Sequence, residues 1–228
     1  MILDQNGYSM PHSIIFQQIF ETLYKSFGPQ NWWPADSPFE VMIGAILTQN
    51  TAWRNVEKAI TGLGEIGDLT PEAVLSLPIE RLEETIRPSG YFRQKSARLQ
   101  GFCRFLQEQY GGSIPAMEGV ATRDLRGQLL SLNGIGPETA DSILLYALGR
   151  PMFVVDAYTI RLLSRHGLCS AKGKYHEIQD LFLENLDHDV ALYNEFHALI
   201  VKHGKEQCRK NNPLCIDCPL KDFCKYVK

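Results

Sequence analysis

The sequence lacks the features of two broad classes of protein. No run of apolar residues reaches about 18, the length of a membrane span, so we expect no membrane partner. The first residues, MILDQNGYSMPHS, contain no basic region followed by an apolar core, which predicts that there is no secretory signal. Repeats and low-complexity linkers are also missing. These absences predict a soluble, cytoplasmic protein.

The chain also lacks an overall positive charge. Its formal net charge is −3 over 228 residues, which argues against a nucleic-acid binder that is basic throughout. A local excess exists, because residues 202–228 contain seven Lys or Arg against three acidic residues. Such a basic face is enough to meet a phosphate backbone, although a solvated C-terminus explains it equally well.

Strand-like patterns are scarce, and only PMFVVD (151–156) resembles a strand. Helical periodicity dominates the remainder. Residues 12–28 carry an apolar helix face that ends at Gly28, and residues 92–112 form a long amphipathic pattern closed by two glycines. With 44% hydrophobic residues the chain can form a packed interior. The sequence therefore predicts an all-α fold.

Four of the six cysteines lie close together near the C-terminus. Cys208, Cys215, Cys218 and Cys224 form the pattern C-x6-C-x2-C-x5-C. In an intracellular chain such spacing indicates a metal site rather than disulfides or four unligated thiols. Zinc and a [4Fe–4S] cluster both suit four sulfurs. The presence of only one close pair favours the cluster, but the spacing alone does not choose between them.

The stretch SLNGIGPETADSILLYALG (131–149) places two glycines between an apolar run and a helical pattern. Gly134 and Gly136 allow close approach of a backbone, and the following helix start offers N–H groups. This arrangement favours a phosphate site without base preference over an ordinary turn between helices.

Three segments carry a resemblance to a known family. HGKEQCRKNNPLCIDCPLKDFC, LNGIGPETA and FVVDAYTIRL resemble the endonuclease III superfamily of helix-hairpin-helix DNA glycosylases, from about residue 30 to the end. The resemblance implies a six-helix barrel over 30–150. It also implies a second helical domain, formed by 1–29 and 151–228, with a [4Fe–4S] cluster on the four cysteines. The implied partner is double-stranded DNA that contains a damaged base, and the implied state is a monomer.

A finer resemblance points to one branch of that superfamily. WWPADSPFEVMIGAILTQNTAW, IRPSGYFRQKSARL and GIGPETADSILLYA are similar to 3-methyladenine DNA glycosylases. This implies an aromatic pocket for a flipped, cationic purine, formed by Trp32, Trp53 and Trp33. The alternative is that the tryptophans only pack, and it is strongest for Trp33, which precedes Pro34.

Two acidic residues are the candidates for catalysis. The resemblance makes Asp156 the residue that faces the sugar, activates water and offsets the developing positive charge, while its alternative role is a helix N-cap. Glu138 stands where family members often have a lysine that forms a Schiff base. Because a carboxylate cannot do so, we expect a monofunctional glycosylase without AP-lyase activity. Glu138 either contacts the flipped base or is simply a first-turn acid of its helix.

The resemblance also implies contacts with DNA. Gln49 matches the glutamine that fills the gap left by the flipped base, and Tyr91 matches a wedge inserted on the opposite strand. Their alternatives are a helix-end cap and a buried turn aromatic. The remaining DNA-binding residues lie in the hairpin at Gly134, Ile135, Gly136 and Thr139.

Two other functions stay open. The first is a glycosylase for mismatched or oxidised pyrimidines, as in endonuclease III. The second, from another class, is a non-catalytic iron–sulfur protein that only binds DNA. Among the remaining ionisable residues, His197 is interpreted as an interior residue and not as a catalyst.

Overall fold

The computed structural model describes residues 10–226. Residues 1–9 lie outside this range. The expectation that there is no secretory signal largely depends on them. Lys228 of the basic C-terminal segment also lies outside this range. Within the described range there are eleven α-helices and no strand, so the predicted all-α class is confirmed. None of the described helices is both long and apolar enough to cross a membrane.

The helices follow one another along the chain with short connections. Short 3₁₀ turns occupy Arg87–Ser89, Pro115–Met117 and Lys221–Phe223. The α-helices are α1 (His12–Phe27), α2 (Pro38–Leu47), α3 (Trp53–Gly64), α4 (Pro71–Ser76), α5 (Ile79–Thr85), α6 (Phe92–Tyr110), α7 (Thr122–Ser131), α8 (Pro137–Ser142), α9 (Ala157–His166), α10 (Tyr175–Leu183) and α11 (Val190–Glu206).

Local sequence explains where these helices begin. The Ser37 hydroxyl accepts a hydrogen bond from the backbone N–H of Glu40 (3.1 Å), and Thr70 caps α4 in the same way. Proline occupies the first position of α2, α4 and α8, where its missing N–H costs no intrahelical bond. These local signals explain the first residues of α2 and α4.

The chain forms two compact units. The split unit combines the N-terminal segment through Trp32 with the chain from Pro151 onward, and the continuous unit is Trp33–Arg150. The sequence-based division into 30–150 and 1–29 with 151–228 places the first boundary a few residues earlier.

Each unit has its own core. In the continuous unit α2 is the central helix, since eight of its ten residues are buried, and it contacts α3, α6 and α8. In the split unit α1, α10 and α11 meet around aromatic rings. Phe153 stacks on Phe182 at 3.6 Å between ring centroids, and Phe16 stacks on Phe182 at 4.6 Å.

The segment 151–156 is not a strand, contrary to its sequence pattern. Phe153, Val154 and Val155 are buried, but backbone groups of the segment bond to side chains of α10 instead of a neighbouring strand. The Phe153 carbonyl accepts from Gln179 Nε2 (2.7 Å), and the Val155 N–H donates to the Tyr175 hydroxyl (3.3 Å). Its apolar residues serve the aromatic core and carry the chain to Asp156.

Candidate active site

The predicted hairpin lies between α7 and α8 in the continuous unit. Gly134 has φ +81°, a left-handed conformation that favours glycine, and Gly136 is the exposed N-cap of α8. Ile135 between them is only 5% exposed and anchors the turn in the core. The N–H groups at the start of α8 have no carbonyl partner within their own helix, which is the arrangement that suits a phosphate oxygen.

Gln49 bonds to this hairpin. Its side-chain Nε2 donates to the Gly134 carbonyl and to Thr139 Oγ1, both at 2.9 Å. Its Oε1 accepts from the guanidinium of Arg98 on α6. The alternative role of helix-end cap is wrong for Gln49, because Thr48 is the C-cap residue of α2. The amide group therefore links the α2–α3 turn to the hairpin.

Tyr91 stands at the N-terminus of α6 with a positive φ of 45°. Its side chain is 67% exposed. The alternative interpretation as a buried turn aromatic is therefore wrong. An exposed aromatic ring on a tight turn is the shape that a wedge requires, and the backbone strain at a non-glycine residue marks the turn as a special feature.

Two of the three tryptophans meet in the continuous unit. Trp33 and Trp53 form an edge-to-face pair with ring centroids 5.1 Å apart and planes at 87°. Trp33 also packs over Gly44 of α2, where a Cβ atom would lie 3.0 Å from the indole ring. Part of the Trp33 side chain is therefore used in packing. Trp33 and Trp53 nevertheless both remain partly exposed. Trp32 is partly exposed and belongs to the split unit.

A third ring that the sequence analysis missed completes this aromatic cluster. Tyr146 lies 5.4 Å from Trp33 between ring centroids and is also partly exposed. It sits in Ile143–Ala147, a π-helical turn in which the Leu148 N–H bonds to the Ile143 carbonyl at 3.2 Å. Turns of this kind frequently occur at functional sites. In sequence, Tyr146 is indistinguishable from a core residue of an apolar helix.

Glu138 and Thr139 begin α8 and point in different directions. Glu138 is exposed in the first turn, where its charge is favoured by the helix dipole. Thr139 is 6% exposed and accepts the hydrogen bond from Gln49, so its side chain belongs to the interior. Only its backbone N–H is therefore available for the DNA contact that the sequence suggests.

Asp156 precedes α9 in the split unit and is its N-cap. Its Oδ1 accepts from the Thr159 N–H (2.8 Å) and from Thr159 Oγ1 (3.0 Å). The helix-cap role is thus present, and it fixes the carboxylate through one oxygen. The other oxygen, Oδ2, lies 3.7 Å from Nε2 of His197 on α11.

His197 is an interior residue, as its sequence context indicates, but it lies beside Asp156. Burial lowers the pKa of His197, the carboxylate of Asp156 opposes this, and Lys205 adds to the lowering. Burial therefore favours the neutral imidazole. The sequence could not show this pairing, because 41 positions separate the two residues.

The four C-terminal cysteines line a single cavity in the split unit. Arg165 donates to Cys208 Sγ at 3.1 Å, and His203 Nε2 lies 3.9 Å from Cys218 Sγ. Nowhere in residues 10–226 are three His, Cys, Asp or Glu side chains grouped closely enough to hold one metal ion. Four cysteine side chains around one cavity are a donor set that suits zinc or an iron–sulfur cluster.

The predicted site residues are divided between the units. The split unit contains Trp32, Asp156 and the cysteines. The continuous unit contains the other predicted residues, namely Trp33, Gln49, Trp53, Tyr91, Glu138 and the hairpin. Within the continuous unit the structure joins Gln49 to the hairpin and Trp33 to Trp53.

A protein-family model and a protein of similar sequence both relate this chain to DNA repair glycosylases. Residues 43–188 match the model of the HhH-GPD superfamily, described as base excision DNA repair proteins. A protein of Methanocaldococcus jannaschii, named as a candidate DNA repair glycosylase, is 50% identical over 91% of this chain and 94% of its own.

Solved structures are similar over nearly the whole chain. An endonuclease III in a non-covalent complex with DNA has a TM-score of 0.82 at 25% identity, covering 96% of this chain and 97% of that one. A 3-methyladenine DNA glycosylase of H. pylori, bound to 1,N6-ethenoadenine, has a TM-score of 0.74 at 28% identity, covering 86% and 98%. The expected endonuclease III-like fold is therefore confirmed.

Proposed function

Because the chain belongs to the HhH-GPD superfamily of base excision DNA repair proteins and is a DNA glycosylase, we propose that it removes alkylated purines such as 3-methyladenine from double-stranded DNA. We further propose that it is monofunctional, so that the product is an abasic site on an intact strand. The observation that carries this proposal is the aromatic cluster formed by Trp33, Trp53 and Tyr146.

An aromatic cluster can bind an alkylated purine more tightly than the normal purine, because only the alkylated base is cationic. Both bases stack on indole rings, but 3-methyladenine in DNA carries a positive charge on the ring. An electron-rich aromatic face attracts such a cation by about 0.5–2 kcal/mol. Trp53 is held for this role by a hydrogen bond from its Nε1 to Glu57 Oε1 (2.9 Å). Trp32, in the split unit, is a further candidate for contact with the flipped base.

Before cleavage the damaged nucleotide must leave the base stack, which costs a few kcal/mol. We assign the phosphate contacts to backbone groups of the hairpin at Gly134, Gly136 and Thr139, where Ile135 anchors the turn. Tyr91 enters the opposite strand as a wedge, and its exposure suits that role. We assign Gln49, whose amide bonds to the hairpin, to the gap left by the flipped base.

Cleavage of the glycosidic bond leaves positive charge on the sugar. Asp156 is the proposed catalytic residue: its carboxylate stabilises the developing oxocarbenium and orients a water molecule toward the anomeric carbon. Water adds to that carbon and loses a proton to the carboxylate, while the cationic purine departs as a neutral base with the bond electrons. Thr159 fixes the carboxylate for this step.

The strand is expected to remain uncut because Glu138 carries no amine. A lysine at this position would attack the sugar carbon and form a Schiff base, and elimination would then nick the strand. A carboxylate cannot take this route. Glu138 can instead contact the flipped base, and as an anion it favours a cationic one.

We also propose that Cys208, Cys215, Cys218 and Cys224 hold a [4Fe–4S] cluster. The four cysteines line one cavity, and their spacing contains only one close pair, Cys215 and Cys218, which favours this group over a single zinc ion. When bound, the cluster cross-links the C-terminal loop through metal–thiolate bonds and supplies no acid, base or nucleophile to the reaction.

Base release from methylated duplex DNA tests the function. Free bases are separated after incubation, and the strand is checked for nicks before any alkaline treatment. Release of 3-methyladenine without nicking supports both the substrate class and the water route. Release only from duplexes with mismatched or oxidised pyrimidines would replace the proposed substrate, and tight binding with no release would indicate a DNA-binding protein without catalysis.

A further inference from the structure

Two basic side chains on one face of α6 reach the segments that the proposed function places against DNA. Lys95 and Arg98 lie three positions apart and so project on the same side of the helix. Lys95 is 1% exposed, and its Nζ donates to the carbonyls of Leu47 (2.8 Å) and Ser89 (2.7 Å). The first carbonyl ends α2 two residues before Gln49.

The second carbonyl lies two residues before Tyr91. A single buried ammonium group therefore joins the start of the gap-filling turn to the start of the wedge turn. Burial, with a smaller contribution from Arg98, lowers the pKa of Lys95 to about 8. The lowered pKa means that the charged form of this side chain is destabilised at this position. Burial of a cation is costly unless its hydrogen bonds are satisfied, and the two bonds to Leu47 and Ser89 satisfy Lys95 only when both turns hold this geometry.

Arg98 connects α6 to the hairpin. Its guanidinium donates to Gln49 Oε1, and its stem lies so close over Gly134 that a Cβ atom there would collide with it. Gln49 then donates to Gly134 and Thr139 (2.9 Å each). The gap-filling side chain and the phosphate-binding turn are thus held by one hydrogen-bonded chain that begins on α6.

We propose that α6 sets the register of three DNA-contacting segments, and that Lys95 and Arg98 are positioning residues for the gap-filling turn, the wedge turn and the hairpin. The inference rests on the proposed function, because it assumes that these segments contact DNA. It makes insertion of Gln49 and the geometry of the hairpin interdependent, since the same amide serves both.

A double-mutant cycle tests the Arg98 link. Arg98→Met keeps the stem over Gly134 and removes the donor, and Gln49→Ala removes the amide. The probe is a duplex with a tetrahydrofuran abasic-site analogue, and affinity is measured by fluorescence anisotropy. Loss of a hydrogen bond to a charged group predicts about tenfold weaker binding for Arg98→Met. The double variant is expected to bind no more weakly than Gln49→Ala. Arg104→Met, an exposed position of the same helix, is the matched control for lost charge.

Salt titration separates positioning from direct contact. A residue that neutralises a phosphate changes the slope of log K against log salt by about 0.9 when it is removed. We expect an unchanged slope for Arg98→Met. Wild-type affinity in this variant, losses that multiply in the double variant, or a reduced slope would each overturn the Arg98 assignment.

Lys95→Met extends the test to the two turns, with about tenfold weaker binding of the same probe expected if its bonds hold them. A folded variant with wild-type affinity would overturn the Lys95 assignment, and if this variant does not fold, the Arg98 cycle still decides the proposal. The measurements need only binding of the probe. A failure of base release in the wild type would therefore count against the proposed function and leave the cycle interpretable.

Discussion

Asp156 offers a variant that separates its two roles. In Asp156→Asn the side chain keeps an oxygen for the hydrogen bonds from Thr159 (2.8 and 3.0 Å). Asparagine and aspartate are about equally good N-cap residues, so the free energy of unfolding should change by less than about 0.5 kcal/mol. Asp156→Ala removes both the charge and the cap, and should cost about 1 kcal/mol.

The effect on the reaction should be much larger than the effect on stability. Loss of a carboxylate that stabilises transition-state charge and accepts a proton typically costs about 10²–10⁴ in rate, or roughly 3–5 kcal/mol of barrier. Asp156→Asn is therefore expected to lose nearly all turnover while its melting temperature stays close to that of the wild type.

Three measurements on the same preparations check this reasoning: single-turnover release of 3-methyladenine, chemical denaturation, and anisotropy with an abasic-analogue duplex. DNA binding should survive in both variants, because the proposed phosphate contacts lie in the hairpin. Turnover of Asp156→Asn within about tenfold of the wild type would refute the catalytic role, since such a loss corresponds to only about 1.4 kcal/mol. Loss of turnover only in Asp156→Ala would mean that the residue matters as a cap.

Four further predictions address the other parts of the site. Trp53→Ala should reduce release of 3-methyladenine by about tenfold or more, because stacking and cation–π attraction are lost. Trp53→Phe should retain most of the release. Unchanged release from a folded Trp53→Ala would contradict the proposed role of the aromatic cluster. Borohydride should not trap the wild-type protein on damaged DNA. Glu138→Lys is the comparison variant, in which trapping would be gained if the new amine reaches the sugar. Trapping of the wild type would show that another amine forms a Schiff base. Protein purified without air should be brown with broad violet absorbance, and Cys215→Ala should lose that colour, whereas a colourless, zinc-loaded wild type would contradict the cluster. Since the pKa of Lys95 is lowered from 10.5 to about 8, the unfolded state binds more protons at this group between these values, and the contribution of Lys95 to the free energy of unfolding should rise with pH. Cys103 and Tyr193, whose pKa values burial raises to about 12, contribute in the opposite direction. Denaturant titrations should therefore show that the free energy of unfolding of the wild type, relative to that of Lys95→Met, increases with pH in this window.

The sequence by itself determined the fold class, and its helical patterns at 12–28 and 92–112 agree with α1 (His12–Phe27) and α6 (Phe92–Tyr110). Periodicity, prolines at helix starts and caps such as Ser37 and Thr70 act over a few residues, so they can be recognised without knowing the rest of the chain. The hairpin and the cysteine spacing are local in the same sense. Their likeness to endonuclease III was sufficient to predict a DNA glycosylase of this superfamily, which the comparisons bear out. The strand-like pattern of 151–156 failed because a strand needs a partner, and its partners are side chains of α10.

Tertiary structure alone decided which side chains meet. Tyr146 follows Trp33 by 113 positions, and Arg98 follows Gln49 by 49, so no local pattern marks either pair. The pairing of Asp156 with His197 is likewise hidden. Contacts of this kind arise because packing brings distant helices together, whereas a sequence pattern reports only whether a residue tends to be buried. Candidate residues such as Asp156, Gln49 and Trp53 could therefore be recognised in the sequence. Their neighbours, their exposure and their hydrogen bonds depend on the tertiary fold.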